Sequence, residues 1–116
     1  MDIERMRQRL KQKADGRAGM ILIHDGIVRN SSRDGKPVKK IEVRADRQRL
    51  SDVLEEAKGL PGVLAIEVEI AEGLLEVGDD IMLLGVAGDI RENTIAALSH
   101  VLNRIKKEIT SKKEYA

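Results

Sequence analysis

The sequence contains no cysteine, tryptophan or phenylalanine, and its one tyrosine is Tyr115. The lack of cysteine excludes disulfides, thiolate metal ligands and thiol nucleophiles. The lack of stacking aromatics disfavours binding of single-stranded nucleic acid. Nor is there a bulk positive field to replace them, because 21 Lys and Arg face 20 Asp and Glu. Any basic site must therefore be local. The histidines, His24 and His100, lie far apart without metal-ligand spacing. No apolar run reaches the roughly 18 residues of a spanning helix, and the opening "MDIERMRQRLKQK" lacks the apolar segment of a signal peptide. These absences predict a cytoplasmic protein with no membrane or nucleic-acid partner.

What is present suits one domain over residues 1–116, with an N-terminal helix and turn over 1–17 and a basic tail over 105–116. Its core must be aliphatic. Ile3, Met6 and Leu10 recur at helical spacing among charges, predicting a short amphipathic helix over 2–14 whose narrow stripe implies weak docking. "MILIHDGIV" reads as a strand, within residues 19–29, and the alternation of Ile41, Val43 and Ala45 with charged residues as a second with one wet face. Asp46 is placed to cap a helix carrying Leu50, Val53, Leu54 and Ala57. Leu64, Ile66, Val68 and Ile70 alternate with Ala65, Glu67 and Glu69 in a third strand, again with a solvated face. A short extra strand is possible at "LLEV", and "DIMLLGVAG" is apolar enough to be buried on both faces. Asp89 and Glu92 have capping-box spacing, and Ile95, Leu98, Val101, Leu102, Ile105 and Ile109 predict a long helix with a basic end. The order α-β-β-α-β-β-α predicts an α+β fold: two layers, a largely antiparallel sheet with helices on one side.

Candidate chemistry concentrates on cations. Gly26 within an apolar strand marks a bulge, and a bulge re-aims the side chains after it, here toward Arg29 beside the polar loop "NSSRDGKP". An arginine so placed can bind a carboxylate or phosphate bidentately. Arg91 stands in the first turn of the last helix, where a cation is mildly disfavoured, so it is either functional or paired with Asp89, Glu92 or another carboxylate. Lys106, Lys107, Lys112 and Lys113 complement a helix C-terminus and could also meet an anion if the tail folds over the sheet. The carboxylates of "EVEIAEGLLEVGDD" read as a solvated face, not as an acid-base pair.

Several of these stretches, taken in order, resemble the large, catalytic subunit of molybdopterin synthase. "DGIVR" matches that family's strand ending in glycine, any residue, valine and arginine, and "GKPVKKIEVRAD" its loop and next strand. "GLLEVGD" and "IMLLGVAG" match its turn and buried strand, "DIREN" its helix start, and "SKKE" its terminal motif. The resemblance covers residues 18–114. It departs at Ile90, where the family has histidine, at Ile70 and Ala71, and in lacking the tryptophan of the terminal motif. The resemblance implies an α/β-hammerhead fold, a homodimer, and on each subunit a small ubiquitin-like sulfur carrier ending in Gly-Gly. The carrier's thiocarboxylate gives sulfur to cyclic pyranopterin monophosphate in molybdenum or tungsten cofactor synthesis. The pyranopterin is then substrate and product, with no permanently bound cofactor and no metal. Arg29 and Arg91 would hold substrate anions. Lys106 or Lys107 would sit near the thiocarboxylate, assisted by Lys112 or Lys113. The alternative is a non-catalytic dimeric relative that binds a partner tail or anionic ligand on the same surface.

Overall fold

The computed structural model describes residues 1–116. Asp2 caps helix α1 (Ile3–Ala14), its Oδ1 accepting from the Arg5 amide at 3.0 Å. Strands β1 (Met20–Ile27) and β2 (Lys40–Ala45) follow, then α2 (Arg47–Ala57), which starts where Asp46 accepts from the Arg49 amide at 3.0 Å. Next come β3 (Val63–Ile70), the short β4 (Gly73–Glu76), β5 (Asp80–Gly88) and α3 (Arg91–Arg104). A π-helical turn (Ile105–Ile109) and β6 (Thr110–Tyr115) complete the chain. No helix is long and apolar enough to cross a membrane.

The α+β class and the antiparallel pairing stand, but the strands divide into two three-stranded sheets, ordered β1-β5-β3 and β4-β2-β6. Because β5 lies between two neighbours and beneath helices on both faces, every residue from Ile81 to Gly88 is buried. Its side chains alternate between two apolar clusters. Met82, Leu84 and Val86 join the larger one, with α2, α3 and the buried face of β2. Leu83 and Ala87 join Met6, Leu10 and Ala14 of α1 in the smaller one.

Thus α2 and α3 share one side of the chain's core, while α1 takes the opposite face of the central sheet. The weak docking expected of α1 is corrected, since Met6 and Leu10 are fully buried. Gly85 makes this fit possible: a Cβ there would stand 2.6 Å from Leu10 Cδ1 and 2.9 Å from Met6 Sδ. The predicted wet face of β3 is corrected for the same reason. Under α1, Glu67 is 13% exposed and pairs with Arg9 at 2.8 Å and Lys13 at 3.2 Å.

Two further expectations change near the C-terminus. The start of α3 has no capping box: Ile90 occupies the N-cap without a side-chain bond, and Asp89 Oδ1 instead accepts from the Ile90 amide (2.6 Å) and from Asn93 Nδ2 (3.0 Å). The long basic helix ends at Arg104. Beyond it the chain widens into the π turn, then pairs as β6 along the whole of β2. Thr110, β-branched and therefore suited to a strand, begins β6, and its amide donates to the Ile105 carbonyl.

An ion-pair network anchors that turn. Glu108 accepts from Arg104 Nε at 2.7 Å and Arg49 Nε at 3.0 Å, and Arg104 also pairs with Glu56, so α2 and α3 are tied to the turn. Arg104 first, then Arg49, holds the Glu108 carboxyl down to about 2 from its ordinary 4.5. A depressed carboxyl stabilises the fold above its unfolded value, and this contribution is lost as pH falls through the folded one. Thermal melts of wild type should therefore lose stability between about pH 4.5 and pH 2, and Glu108→Gln should flatten that stretch of the profile. An unchanged acid limb in Glu108→Gln would remove the network from this role.

Candidate functional site

Where the end of β1 meets the β2-β6 edge of the second sheet, the structure leaves an open cavity of about 730 Å³. Its apolar floor is Ile27, Val28, Ile41 and Ile81. Its charged wall holds Arg29, Arg33, Lys106 and Lys112 with Asp34 and Glu114, leaving two positive charges in excess.

Each cation arrives by a different local device. The register of β1 against β5 shifts between Gly26 and Ile27, where the strand glycine predicted a bulge. Val28 is then pinned by the turn after β4: its amide donates to the Asp79 carbonyl at 3.0 Å and its carbonyl accepts from the Gly78 amide at 2.8 Å. With Val28 buried at 3%, Arg29 is turned to the cavity. Lys106 comes from the π turn, whose neighbours Ile105 and Ile109 are buried. Lys112 and Glu114 come from β6, opposite Val43 and Ile41, and so share the inward face of the sheet.

The same alternation sends Lys113 outward. It lies opposite Glu42, and its Nζ stands 5.3 Å from the Tyr115 ring centroid, a cation–π contact on the outer face. Lys107 is exposed and does not line the cavity. Arg91 is likewise outside it: its side chain is 75% exposed, with Nη2 3.5 Å from Glu92 Oε1. The structure therefore brings together Arg29, Lys106 and Lys112 of the six residues singled out in the sequence, and leaves Lys107, Lys113 and Arg91 elsewhere.

Charge crowding marks the cavity electrostatically. The Lys112 ammonium is pushed down from its ordinary value by partial withdrawal from water, then by Lys106 and by Arg33, while Glu114 opposes them. His24, on β1, is pushed down by burial and then by Lys106 and Lys112, while Asp25 opposes them. Sequence reasoning passed over Arg33. Its only signal was a second arginine within the loop that Arg29 opens.

Two small antiparallel sheets enclosing an apolar-floored cleft rich in unmatched cations define an α+β protein suited to receiving an anionic group. Comparison with known proteins narrows that class. A family model described as MoaE protein matches residues 1–108. The chain belongs to the MoaE protein family, whose members are the large subunits of molybdopterin synthase that the order of motifs resembles.

Solved structures share the fold. The chain is similar to molybdopterin synthase from Staphylococcus aureus, with 21% identity, 99% of this chain and 85% of that one covered, and a TM-score of 0.81. It is similar to the molybdopterin biosynthesis MoaE protein of Burkholderia ambifaria at 20% identity, with coverage of 98% and 79% and a TM-score of 0.80. It is also similar to a chain in the complex of subunits 1 and 2 of the molybdopterin-converting factor from Helicobacter pylori, at 18% identity, coverage of 98% and 78%, and a TM-score of 0.74. No curated protein matches the sequence.

Proposed function

We propose that this chain is a working large subunit that transfers sulfur from a small ubiquitin-like carrier to cyclic pyranopterin monophosphate. The observation that carries this reading is the convergence of Arg29, Lys106 and Lys112, from three separate stretches, on one cavity. Both reactants are anions at their reacting ends. A thiocarboxylated Gly-Gly tail entering the cleft meets Lys106 and Lys112, whose ammonium groups stabilise charge that builds on the acyl carbon's substituents during transfer. Arg29 offers a planar two-pronged donor to the phosphate of the pterin. The pyranopterin is thus substrate and product, and no resident cofactor takes part. The assembly is a homodimer of large subunits with one small subunit on each, acting in the cytoplasm.

A second reading, a binding module without chemistry, draws support from Ile90, 53% exposed at the position of the family's histidine, and from Arg91, which lies outside the cavity. A single-turnover assay separates the two. Mixing the chain with thiocarboxylated small subunit and cyclic pyranopterin monophosphate should yield dithiolene product, read as its fluorescent oxidised form, above the level given by the carrier alone. A stable complex with the carrier and no product would establish the binding module instead.

A further inference from the structure

We propose that Arg33 is a substrate-binding residue of this cavity, forming with Arg29 a two-guanidinium clamp on the phosphate of the pterin substrate. This inference rests on the sulfur-transfer reading for the identity of the ligand, but not for the clamp itself.

Seven of the arginines, at positions 7, 9, 44, 47, 49, 91 and 104, form ion pairs with carboxylates. Arg29 and Arg33 form none, as is also true of Arg5 and Arg17 outside the cavity, although Asp34 and Glu114 stand in the same wall as Arg29 and Arg33. Two free guanidinium groups, each with a fork of donors, thus face one volume whose nearby carboxylates do not engage them. The loop that carries Arg33 is also built, not slack. Ser31 bridges to Pro37, the Ser32 amide donates to the Lys36 carbonyl at 2.9 Å, and the Val38 amide to the Asn30 carbonyl at 3.0 Å. At its tip the Gly35 amide donates to the Ser32 carbonyl at 3.0 Å, and Gly35 takes φ +81°, a left-handed value that favours glycine. Asn30 to Val38 therefore form a small hairpin hung from the end of β1, with Arg29 at its root and Arg33 at its turn.

The electrostatics agree. Arg33 is close enough to Lys112 to depress that ammonium, so the cavity holds like charges in mutual repulsion. A phosphate placed between the arginines relieves the repulsion and gains charge-assisted hydrogen bonds from both sides. A single arginine would hold the group and leave it free to pivot. Two on opposite parts of one hairpin fix its orientation relative to Lys106 and Lys112.

Calorimetric titration with inorganic phosphate at low ionic strength tests the clamp. Arg33→Gln should raise the phosphate Kd about tenfold. Arg33→Lys should recover part of the loss, since it restores charge without the fork. Lys36→Gln, on the same hairpin but away from the cavity wall, should bind like wild type. Absence of phosphate binding by wild type, an Arg33→Gln value within twofold of it, or an equal loss in Lys36→Gln would each overturn the clamp, the last by showing loop charge alone at work. The transfer assay tests the ligand separately. Arg33→Gln should raise KM for the pterin and keep kcat near wild type. If wild type binds phosphate through Arg33 yet makes no product, the sulfur-transfer reading falls and the clamp stands.

Discussion

Lys106→Ala should lower single-turnover sulfur transfer by about 100-fold or more, while Lys107→Ala should stay within about twofold of wild type, because removing one preorganised charge-stabilising donor costs on the order of 10²–10³ in rate. The two lysines are neighbours in sequence and indistinguishable by residue type. The π turn separates them: Lys106 lines the cavity and Lys107 does not. The same logic sets Lys112 against Lys113, which β6 places on opposite faces. Both alanine variants should keep the wild-type circular dichroism spectrum and melting temperature, because both side chains are exposed and neither belongs to an ion pair that holds the fold. Equal losses in Lys106→Ala and Lys107→Ala would show that net charge matters and the cavity geometry does not. Full activity in Lys106→Ala would remove that lysine from the site.

Gly88→Ala should destabilise the fold by about 2 kcal/mol or more, a size expected of overpacking in a close-packed interior. Gly88 ends the buried central strand directly beneath the start of α3. A Cβ on it would meet Thr94 Oγ1 at 2.1 Å, Thr94 Cβ at 3.0 Å and Thr94 Cα at 3.3 Å. Rotation of the threonine cannot clear the last of these contacts, because it is backbone. The hydroxyl is also held, donating to the Ile90 carbonyl at 2.8 Å, and Thr94 is fully buried. The first turn of α3 must therefore lift away from β5. For a domain of this size the melting temperature should fall by roughly 10 °C, read by thermal and urea denaturation. In the pair Gly88→Ala with Thr94→Ala the losses should be less than additive, since the second change removes the nearest obstruction. Strict additivity, or a Gly88→Ala melt at the wild-type temperature, would contradict the packing account.

The local signals in the sequence were sound where one element's own residues settle its structure. Asp46 caps α2, Gly26 marks a bulge, and the alternation of Ile41 and Val43 buries one face of β2. They failed where a distant segment overrides local preference. The residues Ile105 and Ile109 continue a helical period, so the tail read as helix. Yet β2 had an unpaired edge, and six residues from Thr110 to Tyr115 satisfy it with backbone hydrogen bonds that no helical pattern encodes. Glu67 and Glu69 alternate like a wet face because they are charged. That α1 covers Glu67, with Arg9 and Lys13 as partners, depends on a helix more than fifty positions earlier. Asp89 and Glu92 had the spacing of a cap, but Asp89 instead engages Asn93 and the Ile90 amide.

By itself the sequence determined the aliphatic core, the antiparallel α+β class and the loop beside which Arg29 stands, because composition and short periods record which residues avoid water and where the chain must turn, while the family was legible only in the order of its motifs. Tertiary structure alone decided which cations meet. Arg29, Arg33, Lys106 and Lys112 lie on a strand end, a hairpin tip, a π turn and an edge strand, and their convergence follows from the pairing of β6 with β2 and from the turn that precedes it. A shift of one residue in a strand reverses the face of every side chain on it. Whether Lys112 or Lys113 faces the cavity was therefore a matter of register, and register is set between strands that lie some seventy residues apart in the chain.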